Sequence, residues 1–127
     1  MNDDTTTLSQ VKKQMRVFVD ERDWQQFHAP KNLSMSLAIE AAELMEHFQW
    51  ISTEESRSPS AEKKVQIGEE LADVICYAVA MANELKLDIA TIFADKMKKN
   101  AIKYPAEEYK GRFGADDVSP TTKTKLH

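Results

Sequence analysis

Four acids in this sequence are spaced as metal ligands could be. Glu40 and Glu43 are three residues apart, and so are Glu70 and Asp73. On a helix, side chains three apart are neighbours, about 5–6 Å between Cβ atoms. Each pair then sets like charges side by side, and partial burial sharpens their repulsion. Each pair also lies on a stripe one residue ahead of an apolar seam. The first seam is Leu37, Ala41, Leu44, Phe48 and Ile51; the second is Ile67, Leu71, Val74, Ala78, Met81 and Leu85. Packed seam to seam, the two helices would bring the four acids together, and a hard divalent cation would resolve the conflict. All-carboxylate ligation suits Mg²⁺, with Mn²⁺ possible. There is neither a His-x-x-x-His motif nor a pair of cysteines, which argues against zinc.

Mg²⁺ held by a few carboxylates keeps waters and binds phosphate oxygens, so the substrate suggested is a phosphate ester or anhydride. Glu43 or Glu70 is the candidate to orient or deprotonate an attacking water, a role that sequence does not separate from ligation. His47, Trp50 and Tyr77 continue the same stripes. Trp50 and Tyr77 either stack on a nucleobase or pack in the core; His47 reads as structural. Lys96, Lys98, Lys99 and Lys103 form either an ordinary helix surface or a grip on phosphate. Cys76 reads as inert packing, and Glu46 and Glu69 as solvated acids.

Helical periodicity appears in four places and strand alternation in none. The first helix is expected over about Leu8–Asp23, followed by a loop from Trp24 to Pro30. Asn32 or Ser34 is expected to cap a second helix reaching about Ile51. Ser52–Pro59 reads as a polar linker. Ser58-Pro59 is expected to open a third helix ending near Leu85. Asp88 would cap a fourth, stopped by Tyr104-Pro105.

Length fits one domain, expected over 1–113, with a disordered tail over 114–127 that has too few apolar residues to offset ordering entropy. The net charge of −4 does not favour nucleic acid. No apolar run approaches the about 18 residues of a membrane span, and the polar start Met1-Asn2-Asp3-Asp4 does not read as a signal peptide. A cytoplasmic location is the default expectation.

Glu40-Ala-Ala-Glu43 followed by Glu70-Leu-Ala-Asp73 resembles the Glu-x-x-Glu … Glu-x-x-Asp signature of the MazG-like, all-α nucleoside triphosphate pyrophosphohydrolases. The resemblance runs from about Val11 to Pro105. Glu21 to His28, Asn32-Leu33, Phe48-Gln49-Trp50, Glu69 to Val74 and Lys103-Tyr104-Pro105 are similar to the dCTP pyrophosphatase branch. That resemblance implies an all-α, four-helix fold assembling as a dimer or dimer of dimers. It implies hydrolysis of a nucleoside triphosphate, dCTP or a modified dCTP first, to the monophosphate and pyrophosphate. Glu40, Glu43, Glu70 and Asp73 match the family's Mg²⁺ ligands. Trp24, Gln25, Gln26, Phe27, His28, Trp50 and Tyr77 match its base and sugar pocket, and Lys96, Asn100 and Tyr104 a stretch linked to phosphate. Two positions depart: Ile39 stands where many members have a further Glu, and Met15 where some dCTP pyrophosphatases use a His. Other expectations stay open: a related enzyme acting on dUTP or phosphoribosyl-ATP, or a helical interaction module without enzymatic activity.

Overall fold

The computed structural model describes residues 1–112, and the expected tail over 114–127 lies outside them. The described residues are all-helical, as expected, and contain no strand. They fall into two compact units, Met1–Ile89 and Ala90 onward. No described helix is long and apolar enough to cross a membrane.

In the first unit, α1 (Leu8–Glu21) opens on a reciprocal cap. The Thr7 hydroxyl accepts from Gln10 N at 3.1 Å, and the Gln10 side chain accepts from Thr7 N at 2.7 Å. The helix ends two residues before the expected Asp23. Asp23 has φ 52°, a left-handed turn that a short polar residue tolerates. Phe18 anchors this corner: the Arg22 guanidinium sits 3.8 Å over its ring, and Trp24 meets it edge-on at 5.7 Å. The expected loop over Trp24 to Pro30 contains a 3₁₀ turn, Gln25–Phe27.

Pro30 starts α2 (Pro30–Glu46) instead of closing the loop before it. At the first helical position the missing N–H is one that would have no helical partner. Neither Asn32 nor Ser34 caps the helix. Asn32 donates to Phe27 O at 3.3 Å, and the Ser34 hydroxyl donates to Lys31 O at 2.7 Å. Helix α2 stops at Glu46, five residues short of the expected end, and turns lead on to Ile51. The linker holds a short helix, α3 (Thr53–Ser56), capped by Ser52. Helix α4 (Ala61–Glu84) is capped by Ser60, whose hydroxyl accepts from Lys63 N at 3.1 Å; Ser58-Pro59 lies just ahead of the cap. It ends in a Schellman turn: Leu87 N donates to Ala82 O at 2.8 Å, with Lys86 at φ 56°.

Helix α2 packs along α4, and α1 packs against α4. Val19, Leu33, Val79, Ala80 and Ala82 form the buried core. The seams are only partly covered: Leu37, Leu44, Phe48, Ile67, Val74 and Met81 are half-buried, whereas Ile51, Leu71 and Leu85 stay exposed. Helix α1 is held to the end of α4 by polar contacts. Asn83 donates to Lys12 O at 2.9 Å and accepts from Arg16 at 3.2 Å, while Lys12 Nζ donates to Leu87 O at 2.6 Å.

Helix α5 (Ile89–Lys103) continues into the second unit and is followed there by α6 (Ala106–Tyr109). Pro105 separates them, as the Tyr104-Pro105 stop requires. The Tyr104 and Tyr109 rings meet edge to face at 5.2 Å, and Lys103 Nζ lies 5.3 Å over Tyr104.

Candidate metal centre

Glu40 and Glu43 share one face of α2, and Glu70 comes from α4 packed beside it. One carboxylate oxygen from each lies within 4.8 Å of the others. Oε2 of Glu40 and Oε2 of Glu70 are sealed from solvent and have no hydrogen-bond partner. No described Lys or Arg pairs with any of these acids; Arg22 and Glu21 form an ion pair elsewhere, at 3.7 Å. Buried polar groups are normally satisfied, so two carboxylate oxygens sealed without a donor mark a place for a cation.

The electrostatics agree. Burial, first, raises the Glu40 carboxyl above its ordinary 4.5; contact with Glu43 and the charges of Glu43, Asp73 and Glu70 push the same way. Glu70 is raised likewise, by burial, then by the charge of Glu43 and contact with it, then by Asp73; His47 acts in the opposite sense. Glu40 and Glu70 are harder to ionise first because they are buried and then because their neighbours are acids, and a cation at their centre would reverse the sign of that field. Three hard oxygen donors with no paired Lys or Arg among the described residues fit Mg²⁺ or Mn²⁺. Asp73 is exposed and stands outside the tight trio, contributing charge to it.

Asp73 also lines a cleft of about 420 Å³ between α1 and α4. Trp24, His28 and Tyr77 share that lining, so four expected site residues meet there. Others do not join them. Gln25 bonds to Asp20, Gln26 donates to Asp23 O at 3.0 Å, and Phe27 points outward. Trp50 is 87% exposed and lines no part of the cleft, so this chain packs it neither in the core nor beside Tyr77. Lys96, Asn100 and Tyr104 belong to the second unit, where Asn100 O accepts from Tyr104 N at 2.8 Å.

Val11, Gln14 and Phe18, which sequence reasoning did not assign to a site, form the α1 wall of the cleft with Met15, met there only as a departure from the family. The helix was expected, but which partner it faces is a tertiary fact. Cys76 is exposed and lines the cleft, which corrects the expectation that it packs in the core; partial burial and then the Asp73 charge raise its thiol, which favours the less reactive protonated form. His47 lines a separate hollow of about 540 Å³ with Lys63 and Ser60.

An all-helical unit presenting a cluster of carboxylates beside an aromatic cleft defines a class, and comparison with known proteins places the chain within it. Residues 35–113 match the MazG-like family model. Human dCTP pyrophosphatase 1 (Homo sapiens) is 39% identical over 103 residues, covering 79% of this chain and 60% of that protein. The Mus musculus dCTP pyrophosphatase 1 is 38% identical over 108 residues, covering 83% and 63%. The crystal structure of a pyrophosphatase from Archaeoglobus fulgidus DSM 4304 is similar with a TM-score of 0.74 and 34% identity, covering 83% of this chain and 98% of that one. The chain belongs to the MazG-like family. It spans about three-fifths of the length of these curated mammalian relatives.

Proposed function

We propose that this chain hydrolyses a nucleoside triphosphate, dCTP or a modified dCTP first among candidates, to the monophosphate and pyrophosphate. One observation carries the reading: Glu40, Glu43 and Glu70 converge with two partnerless oxygens, and Asp73 joins that cluster to a cleft lined by Trp24, His28 and Tyr77. The names of the relatives, dCTP pyrophosphatase and pyrophosphatase, support it.

On this reading Glu40, Glu43 and Glu70 hold the ion, with Asp73 beside them. When bound, Mg²⁺ (or Mn²⁺) supplies positive charge against the phosphate oxygens and the leaving pyrophosphate. Trp24 and Tyr77 stack on the base and fix the nucleotide with its α-phosphorus toward the acids. A water oxygen attacks that phosphorus while the bond to the α–β bridging oxygen breaks, and the electron pair leaves on pyrophosphate. The water proton passes to a carboxylate oxygen of Glu43 or Glu70, and burial suits Glu70 to hold a proton. Lys96 and Asn100 are proposed contacts of the phosphate chain, and Tyr104 of the same stretch.

A cytoplasmic homo-oligomer, a tetramer built from dimers, completes the proposal. Ile39 (58%), Met45 (55%) and Val65 (64%) are exposed on α2 and α4, which supports a further protein surface covering them. The direct test is pyrophosphate release from a panel of canonical and modified dNTPs. Release in Mg²⁺ that disappears in EDTA is expected; no release from any nucleotide would leave the acid stripes as a binding face.

A further inference from the structure

We propose that Gln14 reads the polar edge of the base in the cleft, and that its freely turning amide admits a cytosine or a uracil edge alike. The inference rests on the nucleotide reading above and adds a specificity residue to it. On the α1 wall, Val11, Met15 and Phe18 offer no conventional hydrogen-bond donor, and Gln14 is the polar side chain among them. A primary amide carries an acceptor and two donors side by side. Cytosine presents an amino donor beside a ring-nitrogen acceptor; uracil presents a carbonyl acceptor beside a ring N–H. An amide in one orientation matches the first pattern, and the same amide turned over matches the second.

What decides between one reading and two is whether the protein fixes the amide. Other side-chain amides of this unit are fixed. Asn83 both donates and accepts, Gln26 donates to Asp23 O, and Gln25 is tied to Asp20. The side-chain amide of Gln14 is exposed and bonds to no described residue. The helix beneath it is nonetheless held, because Lys12 and Arg16, two residues to either side, are bonded to the end of α4. The site therefore combines a fixed backbone with an unfixed reading head. Sites built to select one hydrogen-bond pattern lock their polar groups, so that the wrong partner leaves them unpaired; this one leaves the choice to the ligand.

The test measures kcat/KM for pyrophosphate release from dCTP and dUTP, in the full chain with Mg²⁺, for wild type, Gln14→Leu and Gln14→Glu. Calorimetric binding of dCMP and dUMP without metal reads the cleft apart from turnover. Wild type is expected to use both triphosphates within about tenfold of each other. Gln14→Glu, which only accepts, raises the dCTP-to-dUTP ratio by about tenfold and shifts monophosphate binding in the same sense. Gln14→Leu raises KM for both by about three- to tenfold while kcat holds. Pyrophosphate from dCTP with a ratio unmoved by either variant, or a wild type preferring one base by more than about 1,000-fold, overturns the role of Gln14 alone. No pyrophosphate from any nucleotide removes the nucleotide reading, and this inference with it.

Discussion

The two sides of α4 make opposite demands on the chain. Toward α2 lies a cluster of acids with partnerless oxygens and no paired Lys or Arg among the described residues. Toward α1 lies a cleft in which aromatic and aliphatic walls surround a few polar groups, Asp73 among them. On the proposed reading, the first is a place of unresolved charge that selects a ligand by charge. The second, with Asp73 as the one acid in its lining, selects by shape and hydrogen-bond pattern. Asp73 stands where they meet, lining the cleft while its charge bears on Glu40 and Glu70. One helix can serve both because a single stripe runs along it: Glu70 and Asp73 lie one turn apart, and Tyr77 one turn further on.

If that division is right, damage on the two sides should differ in kind. The largest effect belongs to the acid side. Glu70→Gln keeps size and removes charge, so kcat is expected to fall by more than about 100-fold with the helical spectrum intact; losing even an outer partner of a metal ligand has effects of about 10- to 100-fold. Turnover at the wild-type rate would remove Glu70 from the centre. On the cleft side, Trp24→Ala is expected to raise KM about tenfold with little change in kcat, since stacking on a base contributes about 1–3 kcal/mol. A fall in kcat at constant KM would break the division by giving the cleft a role in the chemistry.

The smallest effect is on stability in metal-free protein. The Glu40 carboxyl is raised in the fold, so its stabilising contribution is complete below the ordinary 4.5 and is lost as pH rises through the raised value. Glu40→Gln has no such loss. In EDTA its Tm should match wild type near pH 4 and exceed it at pH 7, by calorimetry. Saturating Mg²⁺ should narrow or reverse the gap at pH 7, because only wild type keeps the full charge for the ion. Equal Tm values throughout would mean that the acids are not crowded in the fold.

The same division explains what the sequence made legible. The acid side rests on local periodicity: three-residue spacings and matched seams on two helices survive translation from letters to space. The cleft rests on how α1 lies across α4, which no spacing encodes. Trp24 and His28 were reached through resemblance, and Gln14 and Cys76 were not reached, since single residues on a stripe carry no signal of what they face. Trp50 shows the converse. Its place on the acid stripe suggested a nucleobase contact or a place in the core, yet α2 stops at Glu46 and the turns beyond leave its ring exposed. The helix starts erred where side chains had two uses. Asn32 and Ser34 can cap, but both spend their hydrogen bonds on preceding carbonyls, and Pro30 needs no cap to begin.

The bonds from Asn83 and Lys12 have a consequence for how this protein can change. Two of the three contacts that hold α1 end on backbone carbonyls, and the third uses Arg16, which is not part of the cleft. The residues that fasten the wall are therefore different from the residues that form its inner surface. Val11, Gln14 and Met15 can be exchanged without undoing the fastening. On the proposed reading, substrate preference is free to drift over generations while the scaffold and the acids behind it remain as they are.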